Sequence, residues 1–193
     1  MKTIANFLPS STALSALSLF AFSLVIFSCS SDDNNPPAPI DEEEVITTMN
    51  VTLISAGNTT VTLQSQDLDG DGPNAPEITI SGSLAANASY LGSIELLNET
   101  ETPAENVTEE VEAEDDEHQF FFSTSGAVTG TTYSDQDGDG NPLGLSFELT
   151  TGEAGSGTLQ VTLRHEPKKP NDGTLGDAGG ETDIAQSFNV TVE

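Results

Sequence analysis

Tryptophan is absent from this 193-residue chain, cysteine occurs once, and four Lys and Arg residues face 32 Asp and Glu. Each shortage closes a class of function. A single cysteine leaves no pair for a disulfide, so packing must hold the fold. A formal net charge of −28 excludes nucleic acid as a partner, because that binding depends on Lys and Arg neutralising phosphates. The same charge repels a bare anionic membrane surface. With no tryptophan and two tyrosines, no aromatic platform accompanies the carboxylate pair that glycoside hydrolysis would need. No G-x-S-x-G, H-E-x-x-H or phosphate-loop motif occurs. The residues point to binding or structure, not to catalysis.

Long apolar runs are scarce as well. Leu14 to Phe27 is short and Ser-rich, whereas a bilayer span needs about 20 apolar residues. Preceded by Lys2 and closed by a small residue, it has the parts of a secretory signal. Ile26-Phe27-Ser28-Cys29 resembles the lipobox of bacterial lipoproteins, with an aliphatic residue, a small residue and then the cysteine. The resemblance implies cleavage before Cys29, acylation of Cys29 and membrane attachment through several acyl chains. Removing the first 28 of 193 residues leaves 165 and strips one of the four basic residues. That length suits one domain with a real core. Ser30-Ser31-Asp32-Asp33 resembles the acidic sequence that sends Bacteroidota lipoproteins to the cell surface. It implies the outer membrane, surface side, with the periplasmic face as the alternative. Asn34 to Glu44 (NNPPAPIDEEE) reads as an extended, charged tether. The expected layout is a signal peptide over 1–28, a lipidated tether over 29–44 and a domain over 45–193.

Alternation dominates that domain. Val45–Leu53 and Thr60–Gln64 flank Gly57-Asn58 and predict a hairpin. Strands are expected at Glu77–Ser81, Ser89–Leu97, His118–Thr124, Gly144–Thr151, Thr158–His165 and Ile184–Val192. About eight short Thr- and Val-rich strands predict an all-β fold, an antiparallel sandwich that is immunoglobulin-like or related. One segment breaks the rhythm. Thr102-Pro103-Ala104-Glu105 has the form of a capping box, and Val107 and Val111 fall four apart, predicting one short acidic helix or crossover over Pro103 to about Asp115. Asp115, Asp116 and Glu117 would meet its negative end, so it should end early.

The runs LLNETETPAENVTEEVE, DEHQFFF, NPLGLSFELTTGEAGSGTL and LRHEPKKPN, with GGETDI near the C terminus, cover most of residues 77 to 193. Together they resemble an uncharacterised family of Bacteroidota cell-envelope lipoproteins. Members tend to carry a label for the type 1 periplasmic binding fold, which implies two α/β lobes. The periodicity of this chain predicts all-β instead.

Three constellations bear on chemistry. Asp67, Asp69 and Asp71, and again Asp135, Asp137 and Asp139, spell D-x-D-G-D-G. Both match the first half of an EF-hand-type calcium loop but lack its glutamate at position 12, leaving weak calcium sites or plain Asp-Gly turns. Arg164, Lys168 and Lys169 form the one basic patch, which would either clamp an anion or pair with nearby acids. The two histidines, His118 and His165, are in phase with apolar neighbours and should point inward. With Glu117 or Glu166 beside them they could hold zinc. A simple meander of the strands at 118, 144 and 158 would instead put them at opposite ends, each as a rim residue. The resemblance implies an envelope lipoprotein and the residues predict a non-catalytic one, binding or structural, whose partner is an envelope protein or a small ligand. The alternative is capture of a small ligand or metal ion at the cell surface.

Overall fold

The computed structural model describes residues 44–70 and 72–193. The expected signal, Cys29 and all but the last residue of the tether lie outside that range, as does Asp71. In chain order the described residues form β1 (Thr48–Ser55), β2 (Thr60–Gln66), β3 (Glu77–Ile80), β4 (Ser89–Asn98), β5 (Glu105–Asn106) and α1 (Thr108–Ala113). Then come β6 (His118–Gly126), β7 (Val128–Tyr133), β8 (Ser146–Thr151), β9 (Gly155–His165), α2 (Leu175–Ala178) and β10 (Glu181–Val192). One sheet runs β3-β2-β1-β4-β8-β7 with β5 on the end of β4, and the other runs β10-β9-β6. Every pairing between these strands is antiparallel. The chain is an all-β sandwich, as its periodicity predicts.

Alternation builds the core. Met49, Val51 and Leu53 of β1, Val61 and Leu63 of β2, Ile94 and Leu96 of β4, and Phe147 and Leu149 of β8 are buried. They share one hydrophobic cluster with Phe120, Leu159, Val161, Leu163, Phe188 and Val190 of the smaller sheet. Each such side chain contributes about 1.5–3 kcal/mol by leaving water. The expected β1–β2 hairpin forms, with Val51 opposite Leu63 and Leu53 opposite Val61. Asn58 turns it at φ 59°, a left-handed conformation that asparagine tolerates. A Cβ at Gly92 of β4 would fall on the outer end of the Phe147 ring, so this glycine makes room for the aromatic beside the neighbouring backbone.

Two expectations need correcting. The helix is shorter than Pro103–Asp115, because β5 takes its first part and α1 covers only Thr108–Ala113. Asn106 Oδ1 accepts from the Thr108 N–H at 3.2 Å, and Leu96 N–H donates to Thr108 Oγ1 at 2.8 Å. These contacts start the helix late and moor it to β4. Val107 and Val111 are buried as expected.

The larger correction is topological. The strands at 118, 144 and 158 are not a meander. Between β6 and β8 runs β7, a strand that the sequence reading passes over, and β7 and β8 belong to the other sheet. One extra strand reverses parity. β9 therefore returns beside β6 antiparallel to it, with His118 directly opposite His165.

Candidate metal centre

His118 opens β6 and His165 closes β9, so an antiparallel pairing sets them side by side on the inward face. Their rings stack with centroids 4.8 Å apart and planes inclined by 28°. The third strand of the same sheet adds a carboxylate. Thr182 of β10 pairs with Arg164 and Ile184 with Leu163, leaving Asp183 as the extra residue of a bulge. A bulge breaks the period of two and re-aims a side chain. The Asp183 side chain is 1% exposed and lies 4.0 Å from His165 Nδ1. The fourth member, Glu44, comes from the segment that enters β1. Glu44 Oε1 lies 2.9 Å from His118 Nε2, and its Oε2 lies 3.9 Å from His165 Nδ1.

One ligand atom from each of Glu44, His118, His165 and Asp183 falls within 4.8 Å of every other. Zinc bonds of about 2.0–2.2 Å to nitrogen and oxygen put tetrahedral ligand atoms about 3.3–3.5 Å apart. Side-chain adjustment would reach that spacing, since His118 Nε2 and Glu44 Oε1 are already 2.9 Å apart and the widest pair is within 4.8 Å. The cluster could hold a metal ion, and its donor set is two imidazoles and two carboxylates.

The surroundings of the imidazoles fit this use. His118 is fully buried, and its Nδ1 lies 3.1 Å from the Glu114 carbonyl. A carbonyl only accepts, so Nδ1 is the donor in this contact. Nε2 is the nitrogen turned toward Glu44. The two atoms are at ion-pair distance, but His118 Nε2 makes no hydrogen bond. A carboxylate oxygen and an imidazole nitrogen this close in a buried site call for a positive charge between them, a proton or a metal ion. His165 Nδ1 lies 3.9 Å from Glu44 Oε2 and 4.0 Å from Asp183 Oδ1, and its Nε2 lies 3.9 Å from Glu117 Oε2. Backbone carbonyls and carboxylates behind imidazoles are what orient histidine ligands in metal sites.

The acidic loops are arranged differently. In the first, Asp67 Oδ1 accepts from the Asp69 N–H at 3.3 Å, and Asp69 accepts from the Asn74 amide. The bonds from Asn74, then Asp67, hold the Asp69 carboxyl below its ordinary value. In the second, Asp135 accepts from the backbone N–H groups of Gly144 and Ser146, each at 2.7 Å, tying the loop to the start of β8. Asp137 is 4% exposed. It accepts from Asn141 N at 2.8 Å and from Lys169 Nζ at 3.1 Å. Burial pushes its carboxyl up, but the bonds from Asn141 and Lys169 outweigh that and bring it below its ordinary value. Asp139 stays exposed and donates its N–H to Asp137 Oδ1 at 3.0 Å.

The basic patch is dispersed among acceptors of this chain. Arg164 donates to the Gly180 carbonyl at 3.1 Å, Lys168 pairs with Asp177 at 2.9 Å, and Lys169 turns inward to Asp137. Glu44 and Asp183 are the ligand candidates that sequence reasoning missed. Glu44 sits in an acidic run that reads as tether, and the alternation of β10 assigns Asp183 to the outer face. Comparison with models of protein families, with curated proteins and with solved structures finds no match to this chain.

Proposed function

We propose that this chain is a cell-envelope lipoprotein, anchored through Cys29, whose sandwich domain binds one divalent transition-metal ion, with zinc the best fit. The observation that carries the reading is the His118–His165 pair beside Glu44 and Asp183, four ligand atoms within 4.8 Å of one another, in which His118 has its far nitrogen held by a carbonyl and its near nitrogen 2.9 Å from Glu44. Zinc has no geometric demand beyond four close ligands, and imidazole with carboxylate suits it. Calcium prefers six to eight oxygens, and the two nitrogens make this centre a poor match for it.

The ion would act through structure. Three of its ligands come from the β10-β9-β6 sheet, and Glu44 leads into β1 of the other sheet. A bound ion would cross-link the two layers at one end of the sandwich. At 100 times its dissociation constant, zinc would stabilise the fold by about 2.7 kcal/mol, a rise of roughly 5–10 °C in melting temperature. The test is a melting curve with and without zinc. His118→Ala and Glu44→Gln should each abolish the rise, and a rise that persists in both variants would refute the site. Under the meander, changing either histidine would leave zinc affinity untouched. The observed register reverses that expectation.

Calcium is a separate proposal, confined to the first acidic loop, where Asp67, Asp69 and Glu77 rim a shallow hollow. A melting temperature that calcium raises and magnesium does not would support it. Equal effects would leave the loop a turn.

A further inference from the structure

Lys169 is an anomaly in this chain. It is one of four basic residues against 32 acidic ones, yet its side chain is 6% exposed, and that of its partner Asp137 is fully buried. Such a pair stays buried only when its remaining donors and acceptors are satisfied. Here Lys169 Nζ donates to Asp137 Oδ2 at 3.1 Å and to the Asp115 carbonyl at 2.6 Å. Asp137 also takes the N–H groups of Asp139 and Asn141. The ammonium thus offsets the charge of the middle aspartate of the loop, and the lysine supplies that positive charge covalently.

Its second contact reaches further. Asp115 belongs to the tight turn between α1 and β6, in which the Glu114 carbonyl accepts from Glu117 N–H at 2.9 Å and faces His118 Nδ1 at 3.1 Å. Glu166 N–H donates to the Glu117 carbonyl at 2.7 Å, so the segment that carries Lys169 grips this turn twice. The geometry points to the Asp137–Lys169 pair as a positioning element that fixes the Glu114–Glu117 turn and so aims His118 at Glu44. The consequence for metal affinity rests on the metal-binding reading above. The second D-x-D-G-D-G loop then serves the histidine centre through Asp137.

The test compares the full-length chain with Lys169→Met and, as a milder variant that keeps the carboxylate's shape, Asp137→Asn. Two readouts are taken, zinc affinity by titration and amide exchange of residues 114–118 in zinc-free protein. The expected result is a zinc affinity about 10-fold weaker, the lower end for an outer-shell change. Exchange should quicken at 114–118 while the amides of Leu159 and Val161 stay protected. If exchange at 114–118 is unchanged in both variants, or quickens with zinc affinity intact, the positioning role is overturned. Should the unmodified chain bind no zinc, the metal reading fails, and the exchange result alone decides whether the pair holds the turn.

Discussion

A single carbonyl decides what the imidazole of His118 can do. Glu114 fixes the proton on Nδ1 and leaves Nε2 to whatever lies before Glu44. His118→Ala or Asp183→Asn should therefore weaken zinc binding by more than about 100-fold, beyond the 10–100-fold usual for outer-shell changes. Calorimetric titration measures it. Asp137 offers a test by pH. Its folded pKa lies below its ordinary value, so folding favours the ionised form. The stabilisation is complete above the unfolded value, near 4, and is lost as pH falls through the folded one. Asp137→Asn should flatten the fall in stability on acidification below about pH 4. Denaturant melts at pH 5, 3.5 and 2.5 would show it, and an unchanged slope would mean that the pair contributes nothing.

Among the elements, what the sequence made legible was set by the period of two. Each of the eight expected strands has its counterpart, because alternation and Asp-Gly or Asn-containing turns are local signals. β7 was not legible: Gly130 interrupts VTGTTY, and its pairing with β8 shifts register between Val128 and Gly130. That one omission reversed the parity of everything after it and moved His165 from the far end of the sandwich to the side of His118. Asp183 was hidden for a related reason, since a bulge defeats alternation and depends on the partner strand. Half of the site was thus legible as residue types, and its assembly was not. Gly92 tests the packing at this scale. Gly92→Ala would drive a methyl group into the Phe147 ring and should cost about 1–3 kcal/mol, as overpacking does. A variant that melts with the parent chain would show that the ring has room to move.

At the scale of the whole molecule, a formal net charge of −28 sets the conditions under which the proposed site would work. Such a surface attracts divalent cations in general, so weak and unspecific binding of calcium, magnesium and zinc is expected at low salt. Raising the salt should remove that background and spare a buried centre, because screening acts on exposed, separated charges. The expected anchor is tested separately. Cys29→Ala should move the protein from the membrane fraction to the soluble one and end incorporation of labelled fatty acid, and a variant that stays acylated would contradict the lipobox reading. The proposed zinc centre is tested most directly by X-ray absorption at the zinc edge, on the full-length chain loaded with one equivalent of zinc at 0.5 M salt. The expected spectrum shows two imidazole nitrogens and carboxylate oxygens at about 2.0–2.2 Å, with the imidazole scattering lost in a His118→Ala, His165→Ala double variant. An all-oxygen shell, or a spectrum indifferent to both histidines, would place the ion on the acidic surface and contradict the proposed centre.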